Sequence, residues 1–294
     1  MKKNFLIILI ALFFFSCQKE ISHEVVSTEV DVYVAGSEEN GSFSVTKYWK
    51  NGQAISLTDG TKQAWANSIA VVGSDVYVAG TEIAATNNNH VAKYWKNGQD
   101  ISLTDSTNTA IAYAITIVGS DVYVAGNDGG VKYWKNGQAI TLTNAHYAVA
   151  RGIAVVGSDV YVAGAEVWGS SSNYGAEYWK NGQSMELTDG TKYSWATSIA
   201  VIGNDVYVAG CESNGILDVA KYWKNGVAVS LTDGTKSACA NSIVIVGSDV
   251  YVAGYEFNRS VEVAKYWKNG TPVTLSDGTK NASANSIAVS GNEV

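Results

Sequence analysis

The sequence predicts an all-β protein, a six-bladed β-propeller made of four-stranded antiparallel blades. Three observations predict it: a composition of one proline and 29 glycines with many valines and aromatics, and two phrases that each occur six times. Asp-Val-Tyr-Val-Ala-Gly begins at residues 31, 75, 121, 159, 205 and 249. Lys-Tyr-Trp-Lys-Asn-Gly begins at residues 47, 93, 132, 221 and 265, and at residue 177 with Glu in place of the first Lys. Units of about 44 residues indicate a propeller, a solenoid or another repeat array.

Each repeat predicts four strands joined in order by a tight turn, a long loop and a second tight turn. In the second repeat the strands are predicted at Ser68–Val72, Asp75–Ala79, Val91–Lys96 and Gln99–Thr104. Gly73-Ser74 suits a type II′ turn, and Asn97-Gly98 suits a type I′ turn, which needs two residues at positive φ. We therefore expect both tight turns on one rim of the propeller and the long, variable loops on the opposite rim.

Both faces of each blade are predicted to be apolar. Across the first Asn-Gly turn, Tyr48 should lie opposite Ile55, and Trp49 opposite Ala54. A sheet with two apolar faces is covered on both sides, which neighbouring blades do in a propeller. The repeated tryptophans should therefore pack between blades: Trp49, Trp95, Trp134, Trp179, Trp223 and Trp267.

The count of strands predicts how the ring closes. The first repeat begins at its second strand, and the chain ends with a spare first strand, Ser286–Val289. Pairing of this strand with Asp31–Ala35 would close six blades and cover both sheet edges. Two alternatives stay open. Val25–Thr28 could supply the missing strand, or Asn292–Val294 could begin another blade of a seven-bladed or longer array.

The N-terminus has the form of an export signal. Residues 1–16 combine two lysines with an apolar run too short to span a bilayer. Residues 17–29 are polar and suit a tether, and residues 30–294 form the propeller. Phe14–Cys17 resembles the lipobox of bacterial lipoproteins, with Phe where Leu is usual. The resemblance implies lipidation of Cys17 and a place in the cell envelope as an outer-membrane lipoprotein; a plain signal peptide with an incidental cysteine is the alternative. Gln18–Glu20 resembles signals for export to the cell surface.

The order of the phrases resembles the blades of NHL-like and related bacterial propeller-repeat proteins. In those blades an Ile-Ala-Val strand precedes Gly-Asn-Val-Tyr-Val-Ala, as Ile69–Val71 precedes Asp75–Ala79 in this chain. The resemblance covers residues 30–294. It implies the fold and no catalytic residue.

Charge and missing motifs exclude several functions. The net charge is −7, and the two arginines and scattered lysines form no basic stripe for nucleic acid. Two arginines cannot build the three-arginine site of a sialidase. The histidines lack metal-ligand spacing, and no nucleophile elbow or phosphate-binding loop occurs. The sequence favours a binding protein over an enzyme. It predicts no cofactor, and the alternative is a Ca²⁺ ion bound at the channel mouth.

The variable rim carries a repeated acid two residues after each Val-Ala-Gly. These candidate ligand-binding residues are Glu38, Glu82, Asp128, Glu166, Glu212 and Glu256. They either form an acidic ring for a cation or a basic partner, or lie at solvated strand ends and pair with lysines of the next strand.

Aromatic residues are the second candidate group on this rim. Trp65 and Trp195 are predicted just before their first strands, and Trp168 lies in the longest loop, 165–175, with Tyr174 nearby. Aromatics beside acids and amides suit carbohydrate or protein ligands. The alternative is that they pack over the blade tops.

A third group is predicted just before the innermost strands, around the channel mouth. Its members are Asn67, Tyr113, Arg151, Thr197, Asn241 and Asn285. Amide oxygens can ligate Ca²⁺, but amides also cap turns and strand starts. Cys211 and Cys239 are predicted at the variable rim of adjoining blades, where the sequence leaves their pairing open.

These features predict an exported, membrane-anchored, monomeric module. It should bind a protein or a carbohydrate through its variable loops and contact the membrane only through its lipid. The alternative function is a propeller hydrolase or lyase with a metal at the channel mouth.

Overall fold

The computed structural model describes residues 31–145, 147–168 and 173–289. Several predictions fall outside these residues: the signal peptide at 1–16, the lipidated Cys17, the tether at 17–29, and the strand alternatives at Val25–Thr28 and Asn292–Val294. Among the described residues, no helix has the length and apolar character needed to cross a membrane.

The described chain forms six antiparallel sheets, called blades 1 to 6. Blade 1 has three strands, β1 (Tyr33–Glu39), β2 (Ser44–Lys50) and β3 (Gln53–Ser56). Blade 2 comprises β4 (Ala64–Val72), β5 (Asp75–Ile83), β6 (His90–Lys96) and β7 (Gln99–Ser102). Blade 3 comprises β8 (Ala110–Val118), β9 (Asp121–Asp128), β10 (Val131–Lys135) and β11 (Gln138–Thr143).

Blade 4 comprises β12 (Ala148–Val156), β13 (Asp159–Val167), β14 (Tyr174–Lys180) and β15 (Gln183–Glu186). Blade 5 comprises β16 (Ser194–Ile202), β17 (Asp205–Ser213), β18 (Asp218–Lys224) and β19 (Val227–Ser230). Blade 6 comprises β20 (Ala238–Val246), β21 (Asp249–Asn258), β22 (Val261–Lys268) and β23 (Thr271–Thr274). The first strands of successive blades lie side by side around one channel, so the all-β, propeller-like architecture is confirmed.

The two tight turns of blades 2 to 6 have the predicted backbone and are joined by hydrogen bonds. Asn97 and Gly98 have φ of 51° and 86°, as a type I′ turn requires, and Gly73 has φ of 60°. Asn97 Nδ2 donates a 2.8 Å hydrogen bond to Asp75 Oδ1, and the Val76 N–H donates one of 2.8 Å to Asn97 Oδ1. The same bonds recur in blades 3 to 6. Both tight turns therefore lie on one rim and the long loops on the other, as predicted.

The predicted strand register and blade packing are also confirmed. Tyr48 lies opposite Ile55 and Trp49 opposite Ala54. The tryptophans of blades 2 to 6 are at most 1% exposed, whereas Trp49 of blade 1 is only partly buried. Each buried indole packs against the preceding blade. This contact removes a large apolar surface from water.

The innermost strands begin earlier than predicted, because each contains a β-bulge. β4 begins at Ala64 rather than at Ser68, because the ladder continues past an extra, unpaired residue, Asn67. The bulge residues of blades 2 to 6 are Asn67, Tyr113, Arg151, Thr197 and Asn241. These five members of the third candidate group and the candidate tryptophans Trp65 and Trp195 thus lie within strands, not before them, whereas the sixth member, Asn285, lies in no described strand.

The last described segment, residues 282–289, occupies the place of a first strand beside blade 6. Asn241 Nδ2 donates to the Ala284 carbonyl (3.1 Å), and the Ile287 N–H donates to Ser242 Oγ (3.4 Å). Equivalent bonds join the first strands of blades 5 and 6. Within the described residues this segment forms no ladder with β1, and Val34 of β1 is 53% exposed where its blade 2 counterpart Val78 is 0% exposed. Ring closure therefore stays a prediction.

A disulfide joins blades 5 and 6. Cys211 in β17 and Cys239 in β20 have Cα atoms 5.0 Å apart and are bonded through sulfur. The pairing that the sequence left open is thus made between adjacent blades.

Removal of an interblade indole tests this packing. Trp223 is 0% exposed and packs in one cluster with Tyr161, Ala163 and Ala176 of blade 4. Trp223→Ala should lower the free energy of unfolding by about 3–5 kcal/mol, measured by chemical denaturation, because it leaves a large cavity. Ile216→Ala is the control, because Ile216 is 88% exposed. An equal, small effect of both changes would contradict interblade packing.

Candidate functional site

The departures from the repeat concentrate in blade 4. Its bulge residue is Arg151, where blades 2, 5 and 6 have Asn or Thr, and Gly152 follows where those blades have Ser. Glu177 stands where every other blade has Lys, and Trp168 directly follows β13 in the variable loop of this blade. Repeated positions are explained by the packing that every blade shares. Positions that depart from the repeat need another explanation, so they indicate where a site lies.

The channel itself is lined by residues that serve the fold. It has a volume of 660 Å³. Asn67 Nδ2 donates to the Ala112 carbonyl and Thr197 Oγ1 to the Ala240 carbonyl, each at 2.8 Å, so these side chains join neighbouring blades. Asn241 does the same, and Asn285 also lines the channel. Among the residues that the structure describes, no group of three or more His, Cys, Asp or Glu side chains converges.

Arg151 differs from these polar residues because it reaches aromatic rings instead of carbonyls. Its guanidinium carbon lies 5.5 Å from the centre of the Tyr113 ring and 5.2 Å from that of Trp195. Both distances suit cation–π contacts. Burial raises the pKa of the Tyr113 phenol, which keeps it neutral beside the guanidinium. Arg151 is itself exposed at the channel mouth.

The aromatic contacts continue from Arg151 onto the rim of blades 4 and 5. The rings of Trp195 and Tyr174 stack with centres 4.5 Å apart and an angle of 23°. Tyr193 meets both rings edge-on, at 5.6 and 5.9 Å. We call Tyr113, Arg151, Tyr174, Tyr193 and Trp195 the aromatic–arginine patch. Sequence reasoning named Arg151, Tyr174 and Trp195 as candidates, and the structure brings them together.

Two other candidate tryptophans lie away from this patch. Trp65 is in blade 2, where its ring lies 5.7 Å from that of His90. Trp168 lies on the opposite face of blade 4, where its ring fills the space beside two glycines. A Cβ added to Gly175 would be 2.0 Å from Trp168 Cζ3, and one added to Gly190 would be 2.6 Å from Trp168 Cε3.

Five of the six candidate acids pair with a lysine of the next strand. The pairs are Glu38–Lys47, Glu82–Lys93, Asp128–Lys132, Glu212–Lys221 and Glu256–Lys265. These contacts agree with the paired strand-end interpretation more closely than with a bare acidic ring. The side chains of these pairs are mostly buried, except for that of Glu38, which is 59% exposed.

The sixth acid, Glu166, faces another carboxyl group instead. Glu177 replaces the lysine and is 0% exposed. Ser184 Oγ donates to Glu177 Oε2, and Thr143 of blade 3 donates to Glu166. Burial raises the pKa of Glu177 to about 8 and also raises the pKa of Glu166. The broken motif at Glu177 was visible in the sequence, but its burial against Glu166 was not.

Comparison with known proteins yields similarities of fold only. No family model matches the chain, and no curated protein matches it. The computationally designed Ika8 protein is 20% identical with a TM-score of 0.49, over 90% of this chain and 76% of that one. A structure described as putative TolB from Agrobacterium tumefaciens is 10% identical with a TM-score of 0.49, over 79% of this chain and 88% of that one. The designed Ika4 protein is 19% identical with a TM-score of 0.31, over 54% and 89%.

Proposed function

We propose that this chain is an exported, membrane-anchored binding module, and that the aromatic–arginine patch binds a carbohydrate with an acidic group. The observation that carries the proposal is the position of the patch. It lies on the variable rim, at the bulge residues where blades 3 and 4 replace a structural Asn or Thr by Tyr113 and Arg151. Rim loops on a rigid scaffold are where binding residues concentrate.

The chemistry of the patch suits an acidic sugar. The stacked Trp195 and Tyr174 rings are half-buried, so part of each ring stays open to a ligand. Arg151 presents a planar fork of donors that matches a carboxylate or sulfate. Within the described ranges no Asp or Glu pairs with Arg151, which is exposed and lines the channel.

A protein ligand is the other reading of such a patch, because Tyr, Trp and Arg are common at protein interfaces. The stacked rings beside a single guanidinium favour a sugar ring with one acidic substituent. The hydrolase or lyase alternative gains no support from a specific contact. Asn67 and Asn241 at the mouth each donate from Nδ2 to a backbone carbonyl, and these bonds have a structural role.

The proposed location rests on the resemblance of Phe14–Cys17 to a lipobox. It predicts an outer-membrane lipoprotein held by lipid on Cys17, with the propeller on an NHL-like repeat plan beyond the tether. The disulfide between Cys211 and Cys239 supports export, because disulfides persist in oxidising compartments. We expect the module to act as a monomer without a cofactor.

We also propose that the ring closes at six blades. Residues 286–289 already lie in the place of a first strand beside blade 6. Apolar side chains are also exposed on the two blades that closure would join, at Val34 of blade 1 and Leu275 of blade 6. Pairing of residues 286–289 with β1 would place this surface between blades, as it is at the other interfaces.

Ring closure can be tested by hydrogen exchange followed by mass spectrometry. In a closed ring, the amides of Tyr33–Glu39 should be protected as strongly as those of Asp75–Ile83, because both strands then have two neighbours. A chain ending at residue 282 should lose the protection of Tyr33–Glu39 only. Protection that is the same in both chains would show that another element covers β1.

The proposed ligand site can be tested on an array of neutral, carboxylated and sulfated glycans. Arg151→Ala should weaken binding to acidic glycans by about tenfold or more, because a charge-assisted contact is lost. Trp195→Ala should weaken binding through the loss of stacking. Trp65→Ala is the matched control, because it removes the equivalent tryptophan of blade 2. Undiminished binding by Arg151→Ala would contradict the site, and a wild-type chain that binds none of the acidic glycans would contradict the ligand class.

The lipid anchor can be tested by detergent phase partitioning of the chain expressed in a Gram-negative host. Cys17→Ser should move the protein from the detergent phase to the aqueous phase, because no acyl chain can be attached. The single change Cys211→Ser leaves the lipobox intact and is the control. Retention of the Cys17→Ser chain in the detergent phase would rule out lipidation at this residue.

A further inference from the structure

In most blades an ammonium group lies between the second and third strands, close to the variable rim. In blade 2, Lys93 Nζ lies 3.4 Å from Glu82 Oε1 and 3.1 Å from Asp100 Oδ2. The lysines of blades 1, 3, 5 and 6 contact the corresponding acid in the same way. At least one lysine therefore pairs with each of these acids, and Glu82 and Glu256 each pair with a second, Lys62 and Lys236.

Blade 4 keeps the acid and replaces the cation by a second acid. Glu166 corresponds to Glu82, and Glu177 corresponds to Lys93, since each lies opposite the same position of the neighbouring strand. The carboxyl of Glu166 is within hydrogen-bonding reach of Glu177. Among the described residues no lysine or arginine pairs with either carboxyl, so blade 4 lacks the ion pair that the other blades contain.

One oxygen of this pair is buried without a partner. Glu177 is 0% exposed, and its Oε2 accepts a hydrogen bond from Ser184 while its Oε1 has no hydrogen-bond partner. A buried carboxyl oxygen without a hydrogen-bond partner is costly unless a ligand completes its contacts. The Thr143 and Ser184 hydroxyls add two more oxygen atoms beside the carboxyls. The donor set is all oxygen, the type that hard divalent cations prefer.

The Trp168 side chain encloses the space beside the Glu166 and Glu177 carboxyls and leaves it small. Its indole occupies the space that a valine side chain fills in other blades, over Gly175 and Gly190, and it also interacts with the Glu177 carboxyl. A long ammonium side chain from another protein would have to displace this ring. A small ion needs only the space between the oxygens.

We propose that Glu166 and Glu177, with the hydroxyls of Thr143 and Ser184, bind a divalent cation such as Ca²⁺ at the interface of blades 3 and 4. The ion takes the electrostatic place of the lysine ammonium in the other blades. This site is separate from the aromatic–arginine patch and does not depend on the proposed carbohydrate ligand.

The experiment uses the purified propeller chain after treatment with EDTA. Ca²⁺ should raise its melting temperature by about 5 °C or more when the ion is well above its dissociation constant. Tb³⁺, a luminescent substitute for Ca²⁺, should emit on excitation of tryptophan because Trp168 lies against the site, and Ca²⁺ should quench that emission by competition. Absence of both responses in the wild-type chain would overturn the proposal.

Four variants separate this site from other acidic places on the surface. Glu177→Gln should lose both responses. Glu177→Lys restores the ion pair of the other blades, so it should be stable in EDTA and should respond to neither ion. Trp168→Phe should keep the Ca²⁺ shift and lose the sensitised emission. Glu212→Gln breaks the Glu212–Lys221 pair of blade 5 and should respond as the wild type does.

Two results would overturn the assignment. Full responses in both Glu177→Gln and Glu177→Lys would place the ion elsewhere. A wild-type chain whose melting temperature depends on pH but not on Ca²⁺ would show that the two carboxyls share a proton instead of a metal ion. The Glu177→Lys chain keeps the test decisive if Glu177→Gln does not fold, because it fills the buried place with the charge that five other blades contain.

Discussion

The fold and its candidate site both depend on one close backbone contact between a glycine and the carbonyl of a β-bulge. In blades 2 to 6, a Cβ added to the last residue of Asp-Val-Tyr-Val-Ala-Gly would lie 1.8–2.1 Å from a carbonyl oxygen of the first strand. A Cβ added to Gly210, for example, would lie 1.8 Å from the carbonyl oxygen of Trp195. Only glycine allows this approach, and the approach allows the bulge. The bulge then turns one side chain per blade toward the channel. The contact between the glycine and the carbonyl is the same in every one of these blades, whereas the bulge residue that it positions differs.

The two rims divide structural and functional roles. On the tight-turn rim, the Asn of each Asn-Gly turn adopts positive φ and bonds the neighbouring turn, which leaves little freedom to change it. On the opposite rim the bulge residue can be an amide that joins two blades, as Asn67 is, or a guanidinium that meets aromatic rings, as Arg151 is. The backbone is the same in both cases. Blade 4 could therefore acquire new chemistry without a change of fold.

Local rules explain what the sequence predicted, and non-local contacts explain what it missed. Turn types and strand register follow from a few adjacent residues, so the opposition of Trp49 and Ala54 could be predicted. The bulge could not, because an extra residue interrupts the alternation and makes Ser68 look like the start of a strand. Trp168 lies in a loop, as predicted, but its contacts with Gly175 and Gly190 could not be predicted because they join separate parts of the chain. The aromatic–arginine patch likewise gathers residues from three blades.

The proposed ion site and the proposed carbohydrate site lie on opposite faces of blade 4, and the loop between β13 and β14 links them. Trp168 directly follows β13 and covers Glu177 on one face of blade 4, and Tyr174 begins β14 and stacks on Trp195 from the other face. An ion bound by Glu166 and Glu177 would hold Trp168 over the acid pair. It would therefore fix the end of β13 against the start of β14, where Val167 and Tyr174 are paired. The stacked platform of the patch would gain rigidity from a cation that never contacts the sugar.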